Sequence, residues 1–382
     1  MFQQTNRWMC VSVLLALGLI AMLGRPSSAE AESGQPSVVK NPYAGVNWDQ
    51  VKNFKANLHS HTIYSDGRAE PEELVRIYAE AGYHILAITD HDNYHTMREG
   101  ERETQPTHET TWPWTDWIDE QPSQIWKRNG VETSALYPAL GQHGMLAIRG
   151  NELTSDPHIV SLFNECGFTE RHRVPNRDHD RERLGCVQAK QGMAYWAHPA
   201  HYVPGGSWED RGFPWDQAIE YFGGLIAEFD TLVGIEMQMR GRLELEEELF
   251  DKLLAAYYRE HNIFIMGSDD THGTSVSPTA TITIVLAEQL TEPSVRHALE
   301  NGHTFVGSRT EVLPVFRQVT VDDAAKTISV QIDNHDGITW IQDGEPIHTG
   351  DSIDFSEMKD ALLRFRVQVG EVVFLSQAFH IE

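Results

Sequence analysis

The chain has 382 residues, of which 40% are apolar; that is room for roughly two domains at about 100–200 residues each, with ample material for a core. Its 56 acidic and 30 basic residues give a formal net charge of −26, which argues against binding to a nucleic-acid polymer, since that requires a basic surface. A small phosphorylated substrate remains compatible, because bound cations reverse the local field.

The N-terminal segment reads as a targeting signal over residues 1–29. Arg7 supplies the positive region, Cys10 to Leu23 the apolar one, and Ser27-Ser28-Ala29 small residues for cleavage. The apolar run is short for a membrane span, which needs roughly twenty residues, so no stable membrane partner is expected unless the signal stays uncleaved. Export to the periplasm or the extracellular space is the expectation. Residues 30–53, with Pro36 and Pro42, read as a linker. Only Cys166 and Cys186 outlast such cleavage. Twenty residues apart, they are compatible with a disulfide in an oxidising compartment or with two free buried thiols.

From residue 54 strand-like and helix-like segments alternate. Phe54 to Leu58 reads as a strand; Glu70-Pro71 opens a helix whose Leu74, Ile77, Tyr78 and Ala81 share a face, and Gly82 ends it. His84–Thr89, Met145–Ile148, Ile159–Phe163, Met193–Ala197, Leu232–Met237 and Ile263–Met266 read as strands. Helices are expected near 132–141, 180–191, 214–222 and 243–260. Such alternation predicts an α/β fold with a mostly parallel sheet. Residues 93–130 interrupt it with Trp112, Trp114, Trp117 and Trp126. That insertion reads either as a wall over the site or as a loop packed on the exterior. From about 311 to 382, apolar and polar residues alternate between turn signals such as Asp336-Gly337 and Asp343-Gly344. The pattern predicts a small all-β, sandwich-like domain.

Metal-type ligands recur along the first domain. They run His59-Ser60-His61, Asp66, Asp90-His91-Asp92, Glu152, His158, His198 and Asp269-Asp270-Thr271-His272. His-x-His leaving a strand projects both imidazoles to one side. Imidazoles mixed with carboxylates, without cysteine, suit divalent Zn, Mn or Fe. Ligands at successive strand ends point to a barrel, where those ends converge.

Asn57-Leu58-His59-Ser60-His61-Thr62 with Tyr64-Ser65-Asp66-Gly67 resembles the first motif of the PHP (polymerase and histidinol phosphatase) family. Ala87-Ile88-Thr89-Asp90-His91-Asp92 resembles its second, Gly150-Asn151-Glu152 its strand-end glutamate, Ala197-His198-Pro199 its later histidine, and Asp270-Thr271-His272 its closing Asp-x-His. The resemblance covers about residues 54–310. It implies a distorted TIM-like barrel of about seven strands, two or three divalent metals, and hydrolysis, most often of phosphate esters. The ligands it implies are His59, His61, Asp66, His91, Glu152, His158, His198, Asp270 and His272, with Asp269 beside them. The expected activity is that of a phosphoesterase acting on a small phosphate ester or nucleotide through a metal-bridged hydroxide, with Glu152 and Asp66 central. His201 is a candidate general acid or a bland surface residue. Glu236 is either pocket-lining or structural, and Arg149, Arg240 and Arg309 are either phosphate clamps or surface ion pairs. Two other readings stay open: a metallohydrolase of carboxylic esters, carbamates or amides, and a non-catalytic metal-binding protein.

Overall fold

The computed structural model describes residues 35–62, 65–92, 145–164, 166–168 and 171–382, with four two-residue strand pieces between 95 and 132. The signal segment, the side chains of the tryptophan-rich insertion and the helix expected near 132–141 lie outside them.

Strand β1 (Val38–Lys40) precedes β2 (Lys52–Asn57), helix α1 (Pro71–Glu80) and β3 (Ile85–Ile88). Next come β4 (Leu146–Leu153), β5 (Ile159–Leu162), α2 (Arg177–Ala189), β6 (Met193–Trp196), α3 (Trp215–Glu228), β7 (Leu232–Met237), α4 (Leu243–Tyr257) and β8 (Phe264–Gly267). Then follow β9 (Thr281–Ala287), α5 (Glu292–Glu300) and β10 (Thr304–Ser308). β2, β3 and β4 run parallel, as do β6, β7 and β8, while β5 runs antiparallel between β4 and β6. The result is a mixed α/β fold built on parallel strands. Its helices form for local reasons. α1 starts on Pro71 and buries Leu74, Val75 and Tyr78. In α2 the Asn176 side chain accepts the His179 N–H as an N-cap, with Asp178 and Asp180 in the first turn.

Among the described residues no ladder joins β8 back to β2, because β9 pairs antiparallel with β2 on that edge. Side chains satisfy the β8 backbone instead. Gln377 accepts the Ile265 N–H at 2.9 Å and donates to its carbonyl at 2.9 Å. Thr283 Oγ1 accepts the Gly267 N–H at 2.8 Å and donates to its carbonyl at 2.7 Å. The edge of β8 away from β7 is thus partnered by side chains and not by a further strand.

The C-terminal strands are β11 (Val315–Asp322), β12 (Thr327–Asp333), β13 (Gly337–Gln342), β14 (Glu345–Thr349), β15 (Ser352–Asp354), β16 (Ala361–Val369), β17 (Val372–Leu375) and β18 (Phe379–Ile381). This region is β-rich, as expected, yet the sheet crosses residue 310 without a break, since β10 pairs with β17 and β1 with β18. Pro36–Glu382 is one compact unit. The reading of residues 30–53 as a linker therefore fails from Pro36 onward. Tyr43 is buried, stacks on Phe305 at 4.9 Å, and accepts the Gln377 N–H at 3.0 Å. Phe305 in turn stacks on Phe316, and Trp340 packs against Phe365, so one apolar cluster spans both halves.

Candidate metal centre

Parallel strands bring their C-terminal ends to one side, and the ligand series sits there. His59 and His61 follow β2, His91 follows β3, Glu152 closes β4, His198 follows β6, and Asp270 and His272 follow β8. An isolated parallel bridge between Ser60 and Thr271, with His61 N–H donating to the Thr271 carbonyl at 2.9 Å, ties the first and last groups together. A turn after His61 carries Asp66. Gly67 is required there, because a Cβ would lie 2.4 Å from the His61 carbonyl oxygen. His158 reaches the centre because β4 and β5 form a hairpin, pairing Glu152 with Val160. His198 and Asp270 both adopt left-handed backbone, at φ 35° and 43°, a conformation that costs energy and is often found at functional sites.

Glu152 is the hub. Its Oε1 lies 2.7 Å from His158 Nδ1 and 3.0 Å from His198 Nε2. Its Oε2 lies 2.7 Å from His91 Nδ1, 3.3 Å from His61 Nε2 and 3.4 Å from His59 Nε2. Around this carboxylate, Asp270 Oδ1 is 3.0 Å from His61 Nε2, and Asp66 Oδ1 is 3.0 Å from His272 Nε2 and 3.5 Å from His91 Nε2. All nine expected ligands thus converge on one locus. Three overlapping groups have donor geometry for a cation: His61, Asp66, His91 and His272; His59, His61 and Glu152; His91, Glu152 and His158.

Groups behind the ligands fix their orientation. Glu236 sits near the end of β7, and its Oε1 is 2.9 Å from His59 Nδ1 while Oε2 accepts the His198 N–H at 2.7 Å. Ser268 donates to the same carboxylate. With the His59 proton held on Nδ1, its Nε2 lone pair faces the centre. His61 is held similarly, its Nδ1 3.2 Å from Ser65 Oγ, which itself donates to Asp90 at 2.6 Å. Gln238 donates to Asp270 Oδ2 at 3.2 Å.

The electrostatics fit cations. Burial lowers the His59 pKa, but Glu236, Asp270 and Glu152 overcome it and hold it well above the ordinary histidine value. Burial likewise works against His91, and Glu152 and Asp66 lift it to about 9. Desolvation opposes ionisation of Asp66, Glu152 and Asp270, yet the surrounding histidines hold all three below the usual carboxylate range. Although imidazole nitrogens lie close to them, buried Asp66 Oδ1, Glu152 Oε2 and Asp270 Oδ1 accept no hydrogen bond of good geometry. His59 Nε2 and His61 Nε2 face each other at 3.0 Å. Such orphaned carboxylate oxygens and paired imidazole nitrogens are what divalent ions complete. The residues present therefore fit the metals that the donor set calls for.

The PHP domain profile matches residues 57–268, more than half of the chain. The chain belongs to the PHP domain family. Similar solved structures include a two-domain protein from Bacteroides vulgatus containing a predicted PHP-like metal-dependent phosphoesterase, at 15% identity over 88% of this chain and 96% of that one, with TM-score 0.46. Another is a putative metal-dependent phosphoesterase from Bifidobacterium adolescentis, at 17% identity over 65% and 96%, TM-score 0.35. A third is an amidohydrolase from Chromobacterium violaceum with bound sulfate and no metal, at 15% identity over 57% and 87%, TM-score 0.32. No curated protein matches.

The PHP centre opens into a cleft of about 180 Å³ lined by Asp66, His91, Glu152, His158, His198, Asp270 and His272 on one side. Arg171, Trp208 and Arg211 complete the lining. None of these three was singled out from sequence. The arginines that were, Arg149, Arg240 and Arg309, are absent from the lining, and Arg309 is hydrogen-bonded to the Val276 and Ser277 carbonyls. Arg211 donates to buried Asp156 at 2.9 Å and lies 4.8 Å from the Trp208 ring. His201 packs on Trp208 at 4.6 Å and does not line the cleft. Burial, with His198 and Arg242 nearby, pushes it down to about 3. Asp269 turns away from the ligands, accepting the Tyr78 hydroxyl at 2.5 Å. Cys166 and Cys186 form a disulfide.

Proposed function

We propose that this PHP protein is a metal-dependent phosphoesterase acting on a small phosphate ester or nucleotide, with two or three ions of the Zn, Mn or Fe type held by His59, His61, Asp66, His91, Glu152, His158, His198, Asp270 and His272. The observation that carries the reading is Glu152, whose two oxygens face separate sets of imidazoles, as a carboxylate shared between ions must. When bound, such ions polarise a phosphoryl oxygen and make water nucleophilic near neutral pH. Glu236 and Ser65 keep imidazole lone pairs turned to the centre, so ion binding needs no ring flip. Arg171 and Arg211 line the outer wall, Arg211 held by Asp156, and guanidinium donors at a cleft suit the oxygens of a phosphate. The cleft, at about 180 Å³, is below the roughly 300–1,000 Å³ of drug-sized sites, which supports a small reacting group.

The same reading takes β2 to β8 as the wall of a distorted seven-stranded barrel, supported by the Ser60–Thr271 bridge and the side-chain seam along β8. It also takes the protein as exported, for which the Cys166–Cys186 disulfide is the supporting feature. Hydrolysis of phosphomonoesters by the metal-loaded protein, abolished by chelation and restored by added metal, tests the function. Turnover that survives complete chelation contradicts it.

A further inference from the structure

We propose that Arg183 is a positioning residue for the metal centre, acting on Glu152 and His158 through the turn that joins them; the proposal rests on the metal-centre reading above. Arg183 lies on α2, is fully buried, and touches no ligand directly. Its Nη1 donates to the Leu153 carbonyl at 2.6 Å and the Ser155 carbonyl at 3.4 Å, and its Nη2 donates to the Pro157 carbonyl at 3.0 Å. Three alternate carbonyls of one five-residue turn thus point at one planar fork. That turn begins after Glu152 and ends at His158, whose Nδ1 lies 2.7 Å from Glu152 Oε1. Setting the turn sets the distance between two ligands.

The cleft side of the turn is fixed as well. Asp156 accepts from the Tyr202 hydroxyl at 3.1 Å and from Arg211 at 2.9 Å. Arg183 supplies the opposing hold from behind. Its charge is balanced by Asp180, one turn earlier on α2, which accepts the Tyr221 hydroxyl at 2.6 Å. The helix itself is anchored near the hairpin, since Cys186 is bonded to Cys166, whose carbonyl accepts the Asn151 side chain at 2.5 Å.

Stability alone is a poor reason for a guanidinium here. Burying an ion pair costs several kcal/mol of desolvation per ion, and apolar residues of similar volume often serve as well or better. A rigid fork offers direction, which an apolar side chain lacks and a lysine ammonium supplies at a single point.

The test measures Co²⁺ binding to the whole protein by chelator competition and visible absorption, alongside thermal melting. Arg183→Lys keeps the charge without the fork. Arg183→Met combined with Asp180→Asn removes both charges, so that no uncompensated ion remains to unfold the chain. The control is Leu299→Ala, a core truncation in α5, an element that contributes neither a ligand nor a residue of the turn. The double variant should lose about 10- to 100-fold in Co²⁺ affinity, the scale for groups that orient ligands, with an altered absorption band. The lysine variant should fall between it and the parent. Leu299→Ala should melt earlier with Co²⁺ affinity unchanged. Parent-like Co²⁺ binding in both Arg183 variants overturns the proposal, as does an equal affinity loss in the control. Failure of the parent protein itself to bind Co²⁺ overturns the metal-centre reading and the proposal with it.

Discussion

Replacing Glu152 by glutamine keeps shape and volume while removing the charge at the hub. Five imidazoles lie within 3.4 Å of its two oxygens. An amide turns one of those oxygens into an N–H donor. Both sets of imidazoles lose their anionic partner, and whichever way the amide faces, either the His158 and His198 side or the His91, His61 and His59 side also meets an N–H donor in place of an acceptor. Lost metal-centred stabilisation of about 3 kcal/mol corresponds to about 100-fold in rate. We therefore predict that Glu152→Gln holds fewer metal equivalents and turns over at least ~100-fold more slowly in saturating metal. Elemental analysis after desalting, steady-state rates and a thermal melt separate metal loss from misfolding. A folded variant with full metal content and turnover within a few-fold of the parent refutes the bridging role.

Metal affinity should rise with pH. Burial opposes protonation of His59, His61 and His91, but neighbouring carboxylates raise all three, His91 to about 9. An imidazole must be free of its proton at the ligating nitrogen to bind an ion, so with these values raised competition titrations should show affinity growing from pH 6.5 to 8.5; a flat or falling profile contradicts this. Reducing the Cys166–Cys186 bond, which spans 20 residues of sequence, should cost about 3 kcal/mol of stability, read from urea unfolding with and without reductant; coincident curves count against a stabilising bond. If the signal is cleaved, mass spectrometry of the secreted protein should place the N-terminus near Ala29–Ser33, and an intact Met1 in an envelope fraction indicates an anchor.

Much of the centre was legible because metal ligation restricts residue type and because strand ends are easily recognised. His59, His61, His91 and Glu152 each end or follow a short apolar run, and the structure brings them together. The cleft wall was not legible. Arg171 and Trp208 lie outside helices and strands, and Arg211 ends a three-residue 3-10 helix, too short for periodicity to mark a side chain's direction. Glu236 was visible at a strand end, but only its contact with His59 Nδ1 shows that it orients a ligand. The boundary near 310 was misleading because a change from continuous to alternating patterning reports burial on one face, not separation. Gln377 and Tyr43 stitch the C-terminal strands and the supposed linker to β8 and β10. Thr281–Ala287, buried throughout, passed unassigned, since such a run carries no periodic signal.

We propose that cations held by this centre serve phosphoryl chemistry. The most direct measurement compares phosphomonoesters, phosphodiesters and carboxylic esters in one metal-loaded preparation, before and after chelation. The account predicts turnover of a phosphate ester that disappears with the metal and returns with it. Turnover of carboxylic esters or carbamates alone contradicts the phosphoesterase assignment, and no turnover of any substrate with metals fully loaded contradicts catalysis by this centre on all three classes.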